Sequence, residues 1–266
     1  MDWVTSRALP TIRLPDLNRI RFKFEYAGGS LKAVVLAGGK GTRLAPYTKI
    51  LPKPLMPIGD MPILEILLRQ MKRAGIQDVV LTVGHLSELL RAFFNNGGRL
   101  GMHIQYSYEA EPLGTAGPLS LIPDLNETFL VTNGDVLTTL DLKAIIQAHK
   151  ASQAIGTIAS YMRNVHIDLG VIQSDGSNVV VGYQEKPTFN FQVSMGIYVF
   201  EPQVLKYIEY NRYLDFPDLV IRMVGAGERV MTYPFDGYWQ DLGRADDYEQ
   251  AIQDYESIRD QLLRED

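Results

Sequence analysis

The chain has 266 residues, 46% of them hydrophobic, which is enough to build one large α/β domain or two small ones around a substantial core. A formal net charge of -5 argues against a duplex-binding surface, so no nucleic-acid partner is expected, and the lack of cysteine excludes disulfide and thiolate chemistry. No apolar stretch approaches the roughly 18 residues of a membrane span, and Arg7, Arg13, Arg19, Arg21 and Lys23 break every apolar run of the N-terminal stretch. No membrane association and a cytoplasmic location are therefore expected.

Residues 1–30 carry mixed charge, two early prolines and a closing Gly28–Gly29–Ser30 that reads as a hinge. They are expected to be an extension or linker, or an arm packed on the domain or on a second subunit. Residues 31–37 are continuously apolar apart from Lys32 and predict a buried strand. A glycine- and proline-rich stretch follows. A helix then runs from Pro62 to a stop at Gly75, with Ile63, Leu64, Leu67, Leu68 and Met71 on one face. Strands are expected at residues 78–83, 103–109 and 128–133, and helices at 86–94 and 141–150. Alternation of this kind implies a mostly parallel sheet with helices on both faces. Past residue 150 the pattern changes to short strands at 155–161, 170–173, 179–183 and 193–200, with "SDGSN" as a hairpin turn, and this half reads as more antiparallel. Helices are expected at about 202–209, 216–224 and 244–263.

The stretch "GGKGTRLAPYTKILPKPL", residues 38–55, raises the question of function. A glycine-rich turn behind a buried strand lets backbone N–H groups approach phosphate. It is not a Walker loop, which needs G-x-x-x-x-G-K-[ST]. It is not a dinucleotide fingerprint either, because Leu44 stands where the third glycine is required for close helix–strand packing. Pro46, Pro52, Pro54 and Pro57 make a long stiff loop where a helix would otherwise begin. Arg43 can offer a bidentate fork to phosphate, and Lys53 between two prolines a point charge.

These residues fill every fixed position of G-G-x-G-T-R-L-x-P-x-T-x-x-x-P-K-P-L, and the chain resembles the sugar-1-phosphate nucleotidyltransferases over roughly residues 31–250. The resemblance implies a doubly wound, Rossmann-like α/β fold with a mostly parallel sheet and a smaller antiparallel sugar-binding portion. It divides the chain into a nucleotide-binding part at about 31–150, a sugar-binding part at about 151–243 and a C-terminal helix at about 244–263. It implies NTP and sugar 1-phosphate as substrates and Mg²⁺ as cofactor, held by Asp135 of "NGD" and Asp241 of "WQDLG". Arg43 would stabilise the triphosphate and leaving group, and Lys53 the reacting phosphates. Leu36, Ala37, Gly38, Gly39, Gly41, Thr42, Asn133 and Gly134 would line the nucleotide. So would Glu111, Gly114 and Thr115 of "EPLGTAGPL", a segment similar to that of GDP-mannose pyrophosphorylases and the one sign favouring guanine. Gly170, Glu185, Lys186, Ser194 and Gly196 would serve the sugar phosphate, with Glu185–Lys186–Pro187 as the family's E-K-P.

Two departures fall in the expected sugar pocket. Ser194–Met195 replaces the usual Asn-Ala, and Leu169 stands where relatives often carry Tyr. The phosphate-handling residues are intact. The resulting expectation is GTP with mannose 1-phosphate or a related hexose or heptose phosphate. The alternatives are glucose 1-phosphate with dTTP or UTP, and a nucleotide-sugar-sensing subunit without turnover. A homo-oligomer is left open.

Overall fold

The computed structural model describes residues 31–263. The expectations for residues 1–30 lie outside the described residues.

The first apolar run forms β1 (Lys32–Leu36), whose interior residues are all buried. The proline-rich stretch folds into three single turns of 3-10 helix and a two-strand hairpin of β2 (Pro57–Ile58) and β3 (Met61–Pro62). Pro62 then sits at the N-cap of α1 (Ile63–Arg73), and Gly75 ends it with φ +86. β4 (Asp78–Val83), α2 (Ser87–Phe94), β5 (His103–Tyr108) and β6 (Phe129–Asn133) follow the expected order. A short β7 (Val136–Thr138) leads to α3 (Leu142–Ser152), whose Asp141 carboxylate accepts the first free N–H groups. The remaining elements are β8 (Gly156–His166), β9 (Val171–Ser174), β10 (Val180–Gln184), β11 (Thr188–Phe200), α4 (Phe216–Gly225), β12 (Val230–Phe235), β13 (Trp239–Asp241) and α5 (Ala245–Leu262).

Seven strands form one sheet in the order β12-β8-β11-β6-β1-β4-β5. β1 lies parallel to both neighbours, with Val34 opposite Val80 on one side and Val131 on the other. Within this sheet β11 alone runs against the rest, pairing antiparallel with β6 and β8. Strands from both sides of residue 150 thus share one sheet. Outside this sheet the β2–β3, β9–β10 and β7–β13 pairs are antiparallel, and the outer parts of β8 and β11 are mostly exposed.

The alternating side chains of β1 feed two cores. Ala33 and Val35 pack with α1, α2 and α3, while Val34 packs with Phe200, Phe216, Leu219 and Met223 on the opposite face. A third cluster joins α5 to Leu44, Met56, Ile58 and Ile66, so the C-terminal helix buttresses the proline-rich loop. Tyr255 of α5 lies where any side chain at Gly59 would have to go.

Four elements depart from expectation. Residues 202–207 form a 3-10 helix. β12 has weak alternation and a penultimate proline, Pro234, tolerated because it is an edge strand. β7 and β13 are only three residues each and are stabilised by pairing with one another, a partnership between distant segments that no local pattern encodes.

Candidate active site

Leu36 ends β1 opposite Asn133, the end of β6, and the Gly134 N–H donates to the Leu36 carbonyl at 2.9 Å. A Cβ at Gly134 would lie 3.1 Å from that oxygen and 3.5 Å from Pro54, so glycine lets the 133–135 turn nestle between β1 and the proline-rich loop without displacing either. This places Asp135 beside Lys53. Pro52 and Pro54 hold Lys53 in a 3-10 turn where it is nearly buried, and its ammonium donates to Asp135 Oδ2 in an ion pair.

The β7–β13 ladder brings in the second carboxylate. Asp241 pairs with Val136, and the Leu242 N–H reaches the Asp135 carbonyl. Asp241 keeps solvent access, yet the surrounding protein and then the negative charge of Asp135 raise its carboxyl above the usual range, with Lys53 and Arg43 pulling the other way. Arg43 borders the same spot: a Cβ at Gly243 would lie 3.3 Å from Asp241 Oδ2 and 3.4 Å from Arg43 Nη1. Arg43, Lys53, Asp135 and Asp241 are therefore one cluster of two cations and two carboxylates.

The glycine loop lies at its rim. Gly41 takes φ +59, and Thr48 fixes that turn by donating from Oγ1 to the Gly41 carbonyl at 2.8 Å. No atom lies within 4 Å of a Cβ position at Gly39, so the backbone there faces open space. Gly38 lies against Gly84 and within 3.0 Å, measured from its Cβ position, of Glu109 Oε1. Glu109 was not expected here. It is half-buried just past β5, and burial raises its carboxyl, partly offset because Oε2 accepts from the Leu113 N–H at 2.9 Å. The available signal was its place at the carboxyl end of a parallel strand, on the same sheet edge as the glycine loop.

Other expected residues sit further out. Gly114 and Thr115 dock on residues 212–216. Gly114 has φ +77 against the Leu214 carbonyl, and Thr115 Oγ1 both donates to Asp215 and accepts from the Phe216 N–H at the start of α4. Glu111 is exposed in the same loop. Glu185 accepts from Tyr183 Oη, Gly170 packs on Tyr183, and Lys186 pairs with Asp168 at 2.8 Å, all on the exposed outer arm. Gly196 belongs to the centre: it sits at a bulge between β8 and β11 with φ +74, and its missing Cβ makes room for Asn133. Ser194 is exposed, with its hydroxyl toward Tyr198 Oη. Met195 requires a correction. Its side chain is 1% exposed and belongs to the main core, so the larger residue fills the interior where an exposed pocket position was expected. The alternation of β11 reverses its direction relative to Ser194.

Among the described residues no group of three or more His, Cys, Asp or Glu could hold a metal ion by itself. Mg²⁺ does not need one: it takes one or two carboxylates and completes its shell with water and substrate phosphates. The all-oxygen donor pair of Asp135 and Asp241 fits that demand. No helix of the described residues is long and apolar enough to cross a membrane.

Comparison with known proteins identifies the family. The family model for nucleotidyl transferases matches residues 32–258. A UTP–glucose-1-phosphate uridylyltransferase of Synechocystis is 35% identical over 242 residues, covering 84% of this chain and 62% of the relative. A mannose-1-phosphate guanylyltransferase of Mycobacterium tuberculosis is 34% identical over 224 residues, covering 81% of this chain and 62% of the relative. The chain thus spans 62% of the length of these curated relatives. A putative glucose-1-phosphate thymidylyltransferase from Bacillus anthracis shares the fold, with a TM-score of 0.69 over 84% of this chain and 94% of that one at 23% identity. The chain belongs to the nucleotidyl transferase family.

Proposed function

We propose that the protein is a cytoplasmic sugar-1-phosphate nucleotidyltransferase, joining an NTP and a sugar 1-phosphate into an NDP-sugar and pyrophosphate. The observation that carries this reading is the convergence of Arg43, Lys53, Asp135 and Asp241 beneath an open glycine loop. The sugar phosphate is already ionised and can attack the α-phosphorus in line, so no protein base is required. The remaining work is positioning and charge neutralisation. Residues 38–41 would receive the triphosphate on backbone N–H groups. Arg43 would fork onto the departing pyrophosphate, and Lys53 would neutralise the phosphates that react. Asp135 and Asp241 would hold Mg²⁺, which when bound screens charge between the two substrates. Lys186, exposed on the outer arm, would meet the sugar phosphate, with Glu185 and Ser194 toward the sugar hydroxyls.

For the base we favour guanine, and hence GTP with mannose 1-phosphate or a related hexose or heptose phosphate. A carboxylate can only accept. Guanine offers two adjacent N–H donors, whereas uracil and thymine offer one N–H between two carbonyl oxygens. Glu109, next to Gly38 with one oxygen already engaged, supports the guanine reading. The 35% identity to a uridylyltransferase favours UTP as the second reading. A pyrophosphate-release assay across five NTPs and a panel of sugar 1-phosphates separates them. GTP should be preferred at least about tenfold in kcat/KM, some 1.4 kcal/mol of differential transition-state binding. Glu109→Gln should erode that preference by adding a donor. A parent preference for UTP or dTTP refutes the base assignment, and release with no sugar phosphate refutes the reaction.

A further inference from the structure

The Lys53–Asp135 ion pair sets two of the expected reaction partners against each other. Its side chains are only 10% and 23% exposed, so water screens it poorly. Pro52 and Pro54 leave the Lys53 backbone little freedom, and the long side chain is the part that can move. Asp241 adds a second negative charge that Lys53 also offsets. Without the ammonium, two carboxylates would face one another with only Arg43 for relief.

We propose that Lys53 is a resident counter-ion that keeps Asp135 closed to a divalent cation until a triphosphate draws the ammonium away. This rests on the nucleotidyltransferase reading given above. A cation arriving alone must displace the ammonium from Asp135 and leave it nearly buried and unpaired. A triphosphate arriving in the glycine loop supplies new oxygen partners for the same ammonium and frees the carboxylate. Cation and nucleotide are thereby coupled, and the coupling is reciprocal. Lys53 acts twice with one charge: it first protects the carboxylate site and then moves to the substrate.

The test reads metal binding with no substrate present. Mn²⁺ is titrated into nucleotide-free protein, and free Mn²⁺ is followed by electron paramagnetic resonance. Lys53→Met and Lys53→Gln should each bind Mn²⁺ at least about tenfold more tightly than the parent. Adding Asp135→Asn to either should abolish the gain. Lys40→Met, which removes an exposed cation of the glycine loop, should leave Mn²⁺ affinity unchanged. Lys53 variants that bind no more tightly than the parent, or an equal gain in Lys40→Met, overturn the proposal. Should both Lys53 variants fail to fold by thermal melting, the parent still decides the matter. The lysine ammonium NMR signal that Lys53 contributes should be protected from exchange and should move when inorganic tripolyphosphate is added in EDTA. A signal unmoved at saturation refutes the exchange. An enzyme active in pyrophosphate release with unaltered Mn²⁺ affinity in the Lys53 variants sinks this proposal alone, whereas the expected Mn²⁺ shift without turnover on any sugar phosphate sinks only the functional reading.

Discussion

Gly196→Ala tests how β11 is fitted to the end of β6. At φ +74 an alanine pays about 1–2 kcal/mol for left-handed backbone. Its methyl would also lie 2.6 Å from Asn133 Nδ2 and 3.0 Å from Cγ, so the side chain must move or the strands must part, an overpacking cost of about 1–3 kcal/mol. The stiffer unfolded chain returns about 0.4–1 kcal/mol. A net loss of about 3 kcal/mol follows, or roughly 6–12 °C in Tm for a chain of this size. Because Asn133 immediately precedes Gly134 and Asp135, kcat/KM should fall more than about tenfold, some 1.4 kcal/mol. Calorimetric melts and pyrophosphate release measure the two effects. In an Asn133→Ala background the contact is gone, and Gly196→Ala should then cost only about 1 kcal/mol, the strain less the unfolded-state term. An equal loss in both backgrounds would show that the methyl does not meet Asn133, and an unchanged Tm would refute the left-handed conformation.

Four further outcomes are expected. Arg43→Lys should lower kcat at least about a hundredfold, since a point charge cannot replace a bidentate fork; activity within about threefold of the parent makes Arg43 structural. Thr48→Val loses the hydroxyl bond to the Gly41 carbonyl and should cost about 1 kcal/mol in urea unfolding and raise the KM for NTP; an unchanged KM detaches that turn from the nucleotide. Lys186→Met should leave stability within about 0.5 kcal/mol, because its partner Asp168 is largely in water, while the KM for sugar phosphate rises in steady-state kinetics. His149 is buried, faces Thr157 and Glu201, and has its pKa lowered by burial. The unfolded imidazole takes up a proton near pH 6.5 and the folded one only at lower pH, so between the two the unfolded state holds more protons. This contribution to stability is full above about pH 6.5 and declines as pH falls, by up to about 1.4 kcal/mol per pH unit, and His149→Gln should flatten it in melts run from pH 8 to 5.

Continuous apolar runs with clear stops were legible in the sequence. β1, β4 and β6 are buried on both faces, and α1 carries its own proline start and glycine stop. The gathering of Arg43, Lys53, Asp135 and Asp241 was legible because the motifs that carry them have rigid spacing and stand at strand ends of one sheet edge. Contacts between distant segments were not. Glu109 lies two residues before the motif that drew notice, and only the parallel pairing of β5 carries it to Gly38. Met195 read as a pocket residue because the motif around it is a sugar motif, while the strand's alternation turns it inward. Sequence likewise could not assign Gly114 and Thr115 their attachment to α4, which depends on residues a hundred positions away.

The β7–β13 ladder has a consequence for how such a protein can diversify. Its three paired residues fasten together the two carboxylates, and everything from α3 to β12 is a closed excursion leaving and returning at that clasp. The outer arm and its hairpin hang within this excursion. Lengthening or replacing them changes the closure entropy only logarithmically, about 0.6 kcal/mol per doubling of a flexible loop. If the outer arm receives the sugar as proposed, it is an exchangeable cassette in a frame closed by this clasp, and a swap of residues 162–192 between relatives should carry sugar preference with it and leave nucleotide choice behind.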